Sequence, residues 1–209
     1  MITITRLYDD YAIAARAYND LKRAGFSEND ISIVANNGEG WFEKNATEPG
    51  RIDRDGDGTD DRTEGAAKGA AIGGGIGGVA GLLAGLGMLA IPGLGPVVAA
   101  GWLASTAALA FTGGAAGGLI GSLTQHGVSE DDANAYAEGV RRGGTLVTAR
   151  VSKADEEARA LAILDRSSVD IRARSAMWER DGWNRFDPAA PAYTTDEIRR
   201  EREHYNTRV

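Results

Sequence analysis

Cysteine is absent from the 209-residue chain, which excludes disulfides, thiolate metal sites and thiol nucleophiles. Histidine is scarce, with only His126 and His204. Basic charge is in deficit, 23 Lys and Arg against 30 Asp and Glu for a net charge of −7, which argues against a general nucleic-acid binder. The opening MITITRLYDD lacks the basic-then-apolar order of a secretory signal, so cytoplasmic residence is the expectation. From Gly69 to Ser129 there is no charged side chain at all if His126 is neutral. Nucleophile motifs are missing too. Ser129 and Ser152 read as helix caps, and Asp131 and Asp132 sit where a helix N-terminal dipole favours acids. No catalytic residue, small-molecule substrate or organic cofactor is predicted; the chain is not expected to be an enzyme.

What is present is ordinary in bulk and uneven in layout. Apolar content of 43% and charged content of 25% suit a globular chain, but 29 glycines is about twice the usual share. Residues 1–68 carry 14 acidic and 9 basic side chains, and residues 130–209 carry 16 and 14. The chain therefore divides into a polar domain in two pieces, a charge-free insert between them, and a charged tail.

The two pieces repeat one pattern. Residues 2–7, ITITRL, alternate apolar and polar as a strand does. Asp9 and Asp10 can cap a helix that turns Ala14, Ala17, Tyr18, Leu21 and Ala24 inward, Gly25 ends it, and ISIVA from Ile31 reads as a second strand. After the insert, a helix over Ser129–Arg142 precedes a strand LVTARV from Leu146. A helix capped by Ser152 and burying Ala158, Leu161, Ala162 and Leu164 follows, then a strand over Val169–Ile171. TRLYDDYAIAARAYNDL and ARVSKADEEARALAIL can be laid side by side. Two such βαβ units in one four-stranded antiparallel sheet, with helices on one face, predict an α+β ferredoxin-like domain split between residues 1–36 and 128–174.

The opening TRLYDDYAIAARAYNDLKRAGFSENDISIVA, the glycine-rich AIPGLGPVVAAG and the closing GVSEDDANAYAEGVRRGGTLVTARV together resemble general stress protein 17M-like domains, also called heat-induced stress proteins. The resemblance covers roughly residues 3–152 and rests on the order of the parts. It implies a bacterial, stress-linked protein without an established enzymatic activity. The acidic loop and the tail beyond about Ser175 are not features the resemblance implies.

The insert, residues 65–127, reads as a Gly/Ala-rich helical hairpin with arms Gly65–Leu89 and Val97–Leu123 and a turn at IPGLGP. Gly73, Gly77, Gly81 and Gly85 recur every four residues, as do Gly113 and Gly117, and such stripes let helices approach to backbone contact. Three readings stand. A self-associating hairpin would bury helices whose glycines each cost about 0.8–1 kcal/mol relative to alanine. A membrane-inserted hairpin has the length, but Gly and Ala are weakly apolar and the flanks near Asp60 and Glu130 are acidic. A nucleotide loop at Gly73, Gly75 and Gly78 matches GxGxxG without a preceding strand or a later acid, and reads as coincidence.

The tail, residues 175–209, spaces Trp178, Trp183, Phe186, Tyr193 and Tyr205 among arginines. It is expected either to wrap its own domain, with the aromatics on the open face of the sheet, or to dock on a neighbour.

The acidic loop, residues 37–64, holds DRDGDGTDDRTE, which fits the calcium-loop pattern D-x-[DN]-x-[DN]-G-x5-E. Asp53, Asp55 and Asp57 offer carboxylates, Thr59 its carbonyl, Asp61 a direct or water-mediated contact and Glu64 two oxygens, with Gly58 at the turn. Asp60 stands where an apolar residue normally pairs with a second loop, and there is no second loop. The alternative is a solvated acidic linker. The sequence thus predicts a non-catalytic, calcium-modulated protein that forms homo-oligomers through its glycine-zipper-like hairpin. The alternative is a membrane-associated protein that inserts the hairpin.

Overall fold

The computed structural model describes residues 1–38, 87–91, 94–104 and 118–206. In chain order the elements are β1 (Ile2–Tyr8), α1 (Tyr11–Arg23), β2 (Ile31–Asn36), β3 (Gly87–Ile91) and β4 (Gly95–Gly101). They continue with α2 (Gly118–Gln125), α3 (Glu130–Arg141), β5 (Thr145–Val151), α4 (Ala154–Leu164), α5 (Ile171–Arg180) and α6 (Thr195–Asn206). The acidic loop and most of the glycine-rich insert lie outside the described residues. Among the described residues no helix is long and apolar enough to cross a membrane.

Local signals set the helix starts. Asp10 caps α1, its Oδ1 accepting the Ile13 N–H at 3.1 Å. Ser129 caps α3 through Oγ and the Asp132 N–H, also at 3.1 Å, and Glu130, Asp131 and Asp132 occupy the favoured end of the dipole. The expected cap at Ser152 shifts by one residue. Lys153 is the N-cap of α4, and Glu156 reaches back to accept from the backbone N–H groups of Ser152 and Lys153 at 3.0 and 3.3 Å. The glutamate thus accepts from the two N–H groups that precede the helix, not from the first-turn donors that a Ser152 hydroxyl was expected to take.

The strands form one antiparallel sheet in the order β1-β5-β2-β4-β3. Ile4 faces Ala149 in the β1–β5 pair, and Ile33 faces Val147 in the β2–β5 pair. Because β5 lies antiparallel to both neighbours, β1 and β2 run parallel, with α1 as the crossover between them. The expected strand over Val169–Ile171 is reduced to one bridge, Val169 to Leu7 on the outer edge of β1. Asp170 then caps α5, its carboxylate accepting from the Arg172 and Ala173 N–H groups at 3.0 and 3.1 Å, so the chain turns into a helix.

The expected helical turn at IPGLGP is a strand hairpin instead. Gly87 pairs with Ala99 and Ile91 with Gly95, while β4 pairs along β2 from Asn36–Val97 to Ser32–Gly101. A helical arm through Val97–Leu123 is therefore overturned over its first residues. Pairing with β2 satisfies backbone groups on that strand and buries Val97 and Val98 on opposite faces, whereas glycine-rich helix offers little. At Gly101 the backbone approach is so close that an added Cβ would stand 2.1 Å from the Ile31 carbonyl oxygen, and its φ is +81°.

Helices cover both faces of the sheet, not one. On one side Ile4, Tyr8, Ile33, Val98 and Val147 pack against Tyr18 and Leu21 of α1 and Leu164 of α4. On the other, Leu7, Val34, Val97 and Leu146 pack against Leu123 of α2 and Tyr136 and Val140 of α3. Both faces of β2 and β5 are buried, which fits their short apolar runs better than alternation does. With each fully buried Leu, Ile or Val contributing roughly 1.5–3 kcal/mol, these two layers hold the domain together.

Candidate functional site

The clearest concave feature among the described residues lies where the tail meets the domain, and it is built upward from the end of α3. Glu138 is fully buried there. Its carboxylate accepts from Arg142 Nε at 2.6 Å and Arg141 Nη1 at 3.3 Å. Such a carboxylate is tolerated in the interior only because two guanidinium groups pair with it. Arg142 extends the chain of contacts to the tail, donating from Nη1 to Glu201 Oε1 at 2.6 Å. Burial works against its charge, but Glu138 and Glu201 together hold its pKa above the ordinary guanidinium value.

Aromatic rings close around these arginines. Arg142 lies 4.9 Å from the ring centroid of Trp178 and 5.4 Å from that of Tyr193, while Arg141 lies 4.8 Å from Tyr193. A second arginine, Arg174 of α5, forks onto Asp9 with contacts of 3.0 and 2.9 Å and covers the Tyr205 ring at 3.5 Å. Trp178 Nε1 donates to the Tyr205 hydroxyl at 2.9 Å, which joins α5 to α6. Burial, reinforced by Glu201, pushes the Tyr205 phenol well above its usual range.

Beyond this buried layer opens a surface cleft of about 320 Å³, with Met177, Trp178, Asp181, Tyr193, Arg200 and His204 on its walls. Its other two carboxylates have structural duties. Glu197 accepts from the Thr194 N–H and hydroxyl, both at 2.7 Å, and the backbone N–H holds its pKa below the usual carboxylate range. Glu201 is held by Arg142. The arrangement is a helix-docking contact rather than an acid–base pair aimed at a substrate.

The tail therefore wraps its own domain, but not as expected. Its aromatics do not line the sheet, because α2 and α3 already occupy the second face; only Phe186 joins that cluster. Instead the tail fastens to the C-terminal end of α3. The sequence reading did not assign Glu138, Arg141, Arg142 or Arg174 to this contact. The signal available was an adjacent Arg pair closing a helix in a chain whose tail is rich in aromatics.

The six calcium candidates, Asp53, Asp55, Asp57, Thr59, Asp61 and Glu64, all lie outside the described residues. Among the described residues no group of three or more His, Asp or Glu side chains is arranged to hold a metal ion. No family model, curated protein or solved structure matches this chain.

Proposed function

We propose that this chain is a non-catalytic, stress-linked bacterial protein that self-associates through its Gly/Ala-rich stretch, with the α+β domain serving as the mount. The carrying observation is the strand register. Gly87, at which β3 begins, stands opposite Ala99, and β4 ends two residues later at Gly101. The glycine-rich stretch that runs up to residue 86 and the one that starts after residue 104 are thus rooted side by side at one end of the sheet. A rigid mount that brings two charge-free, small-residue stretches together favours packing between them and with those of another copy.

The mount itself is read as ferredoxin-like. The Val169 bridge, β1, β5 and β2 follow one another across the sheet, with α1 and α4 on one face, and this is the order two βαβ units adopt. The β3–β4 hairpin then extends the β2 edge. In this reading the loop Asp53–Glu64, four net negative charges in twelve residues, binds calcium and thereby orders the approach to the glycine-rich stretch.

Size-exclusion chromatography with light scattering tests the proposal. The expected mass is a multiple of 21.9 kDa that falls to the monomer in Gly73→Leu/Gly77→Leu and shifts between calcium and chelator. A concentration-independent monomer, indifferent to both treatments, overturns it. Protease protection of residues 69–126 with liposomes but not in buffer replaces self-association by membrane insertion.

A further inference from the structure

We propose that α6 is a clasp on the root of the acidic loop, so that release of α6 loosens Asn37 and Gly38 while the rest of the sheet stays formed. β2 ends at Asn36, and the described chain continues to Gly38 before residues 39–86. Side chains from two elements take the polar groups of Gly38. Its N–H donates to Asn36 Oδ1 at 2.7 Å, and its carbonyl accepts the hydroxyl of Thr195, the first residue of α6, at 3.0 Å. Ile198, fully buried and one turn on, completes the hold. A Cβ added to Gly38 would stand 2.9 Å from Ile198 Cδ1, and one added to Gly143 would stand 2.4 Å from Ile198 Cγ2. The isoleucine is thus wedged between the exit of β2 and the turn that joins α3 to β5. Asn36 ties those two places together. Its N–H donates to the Gly144 carbonyl at 3.3 Å and its Nδ2 to the Val140 carbonyl at 2.9 Å.

The clasp is built to open before the sheet does. β2 is paired on both sides, with β5 and β4, and is buried along its whole length. In α6, TDEIRREREHYN, only Ile198 and Tyr205 are large apolar side chains. The rest of its seat is polar: Arg142 donates to Glu201 at 2.6 Å, Arg202 to the Gly143 carbonyl at 3.2 Å and Trp178 to the Tyr205 hydroxyl at 2.9 Å. The connector before it is exposed at Asp187, Pro188, Ala189 and Pro191. It is held by Arg141 donating to the Pro191 carbonyl at 3.0 Å, and by the Ala189 and Ala190 N–H groups donating to Asp187 at 2.8 and 3.2 Å. Segments with few buried apolar contacts open at lower free energy than core strands. On release of α6 the Gly38 carbonyl loses the Thr195 hydroxyl, and Gly38 loses the side chain that covers it. Such coupling is reciprocal, so whatever fixes the chain beyond Gly38 also holds α6 more firmly. What the clasp would regulate, the footing of the acidic loop and glycine-rich stretch, rests on the self-association proposed above; the clasp itself does not.

Native-state hydrogen exchange of the full chain across a urea series tests the clasp. Three sets of amides are expected to open together with one urea dependence: the Asn37 N–H, which donates to the Pro96 carbonyl at 2.8 Å, the Gly38 N–H, and those of α6. The amides of the facing pair Val34 and Leu146 are expected to stay protected at the same urea concentrations. Opening of Gly38 only with the sheet, or absence of protection at Gly38 while α6 is protected, overturns the proposal. In Ile198→Asp, exchange at Asn37 and Gly38 is expected to rise at least about tenfold, with Val34 and Leu146 unchanged within about twofold. Unchanged exchange at Asn37 and Gly38 in a variant whose α6 amides have lost protection overturns it as well. Should Ile198→Asp fail to fold or keep α6 seated, the urea series on the unaltered chain decides alone. Light scattering of the unaltered chain reads self-association separately, so a monomer that shows the expected exchange pattern contradicts that reading and not the clasp.

Discussion

Glu138 shows how much one side chain can organise. It lies on α3 without solvent exposure and joins Arg141 and Arg142, and through Arg142 it joins the tail. Glu138→Ala takes from Arg141 and Arg142 the carboxylate they share and leaves Arg142 with Glu201 alone, and a loss of about 3–5 kcal/mol is expected in urea unfolding. Arg142→Met, which fills similar space without charge, leaves the buried carboxylate only the longer 3.3 Å contact from Arg141 and is expected to cost a comparable amount. The tyrosines make a second residue-scale prediction. Burial raises the pKa of all six, Tyr18 and Tyr136 to about 12. A raised folded-state value favours the neutral phenol in the native state. The resulting stability is complete below the unfolded value near pH 10 and is lost as pH rises towards 12. Phenolate absorbance is therefore expected to show no titration near pH 10 while the fold persists, and to appear with cooperative alkaline unfolding. Ordinary tyrosine titration in the folded protein would contradict the burial of these rings.

At the scale of elements, glycine has opposite roles in different places. Gly101 closes β4 against the Ile31 carbonyl at positive φ. Gly101→Ala is expected to lower stability by about 1–2 kcal/mol from backbone conformation alone, with the clash adding to that. Gly121 in α2 has nothing within 4 Å of an added Cβ, so Gly121→Ala is expected to raise stability by about 0.8–1 kcal/mol. Thermal melts of the two variants in opposite directions check the packing assigned to each. The edge strand β1 is shielded by a different device. The Thr5 carbonyl accepts the Tyr136 hydroxyl at 2.7 Å and Arg6 Nη1 at 2.8 Å, and the Leu7 carbonyl accepts the Val169 N–H at 2.8 Å. With those acceptors occupied, that edge has fewer free groups to recruit a foreign strand.

For the whole molecule, the proposed self-association runs through small, uncharged residues rooted at one end of the sheet. Packing of uncharged Gly/Ala stretches is expected to persist or strengthen as salt is raised from low to molar concentration. Light scattering across a salt series checks it, and an assembly that falls apart in molar salt would contradict packing of uncharged stretches. The calcium proposal belongs at this scale as well: calorimetry with millimolar calcium is expected to give heat that disappears in Asp55→Ala, and no heat from the unaltered chain would end it.

The sequence by itself determined the local events, because local chemistry decides them. Asp10 and Ser129 cap the helices they were expected to cap, the alternation in ITITRL is a strand, and the repeat of strand and helix after the insert is present. What only the tertiary structure decided were choices between partners distant in the chain. Gly/Ala-rich sequence has weak local preference, so Gly87–Ile91 and Gly95–Gly101 took strand geometry where the open edge of β2 offered pairing, and the periodicity that suggested a helix did not outweigh it. The strand expected at Val169 shrank to one bridge because Asp170 started a helix. The tail went to the end of α3 because helices already covered both faces of the sheet, and the buried Glu138 with its arginines offered the remaining match for an aromatic, arginine-rich segment. Caps and periodicity act over one turn of chain; burial of a face is settled only when every other element has been placed.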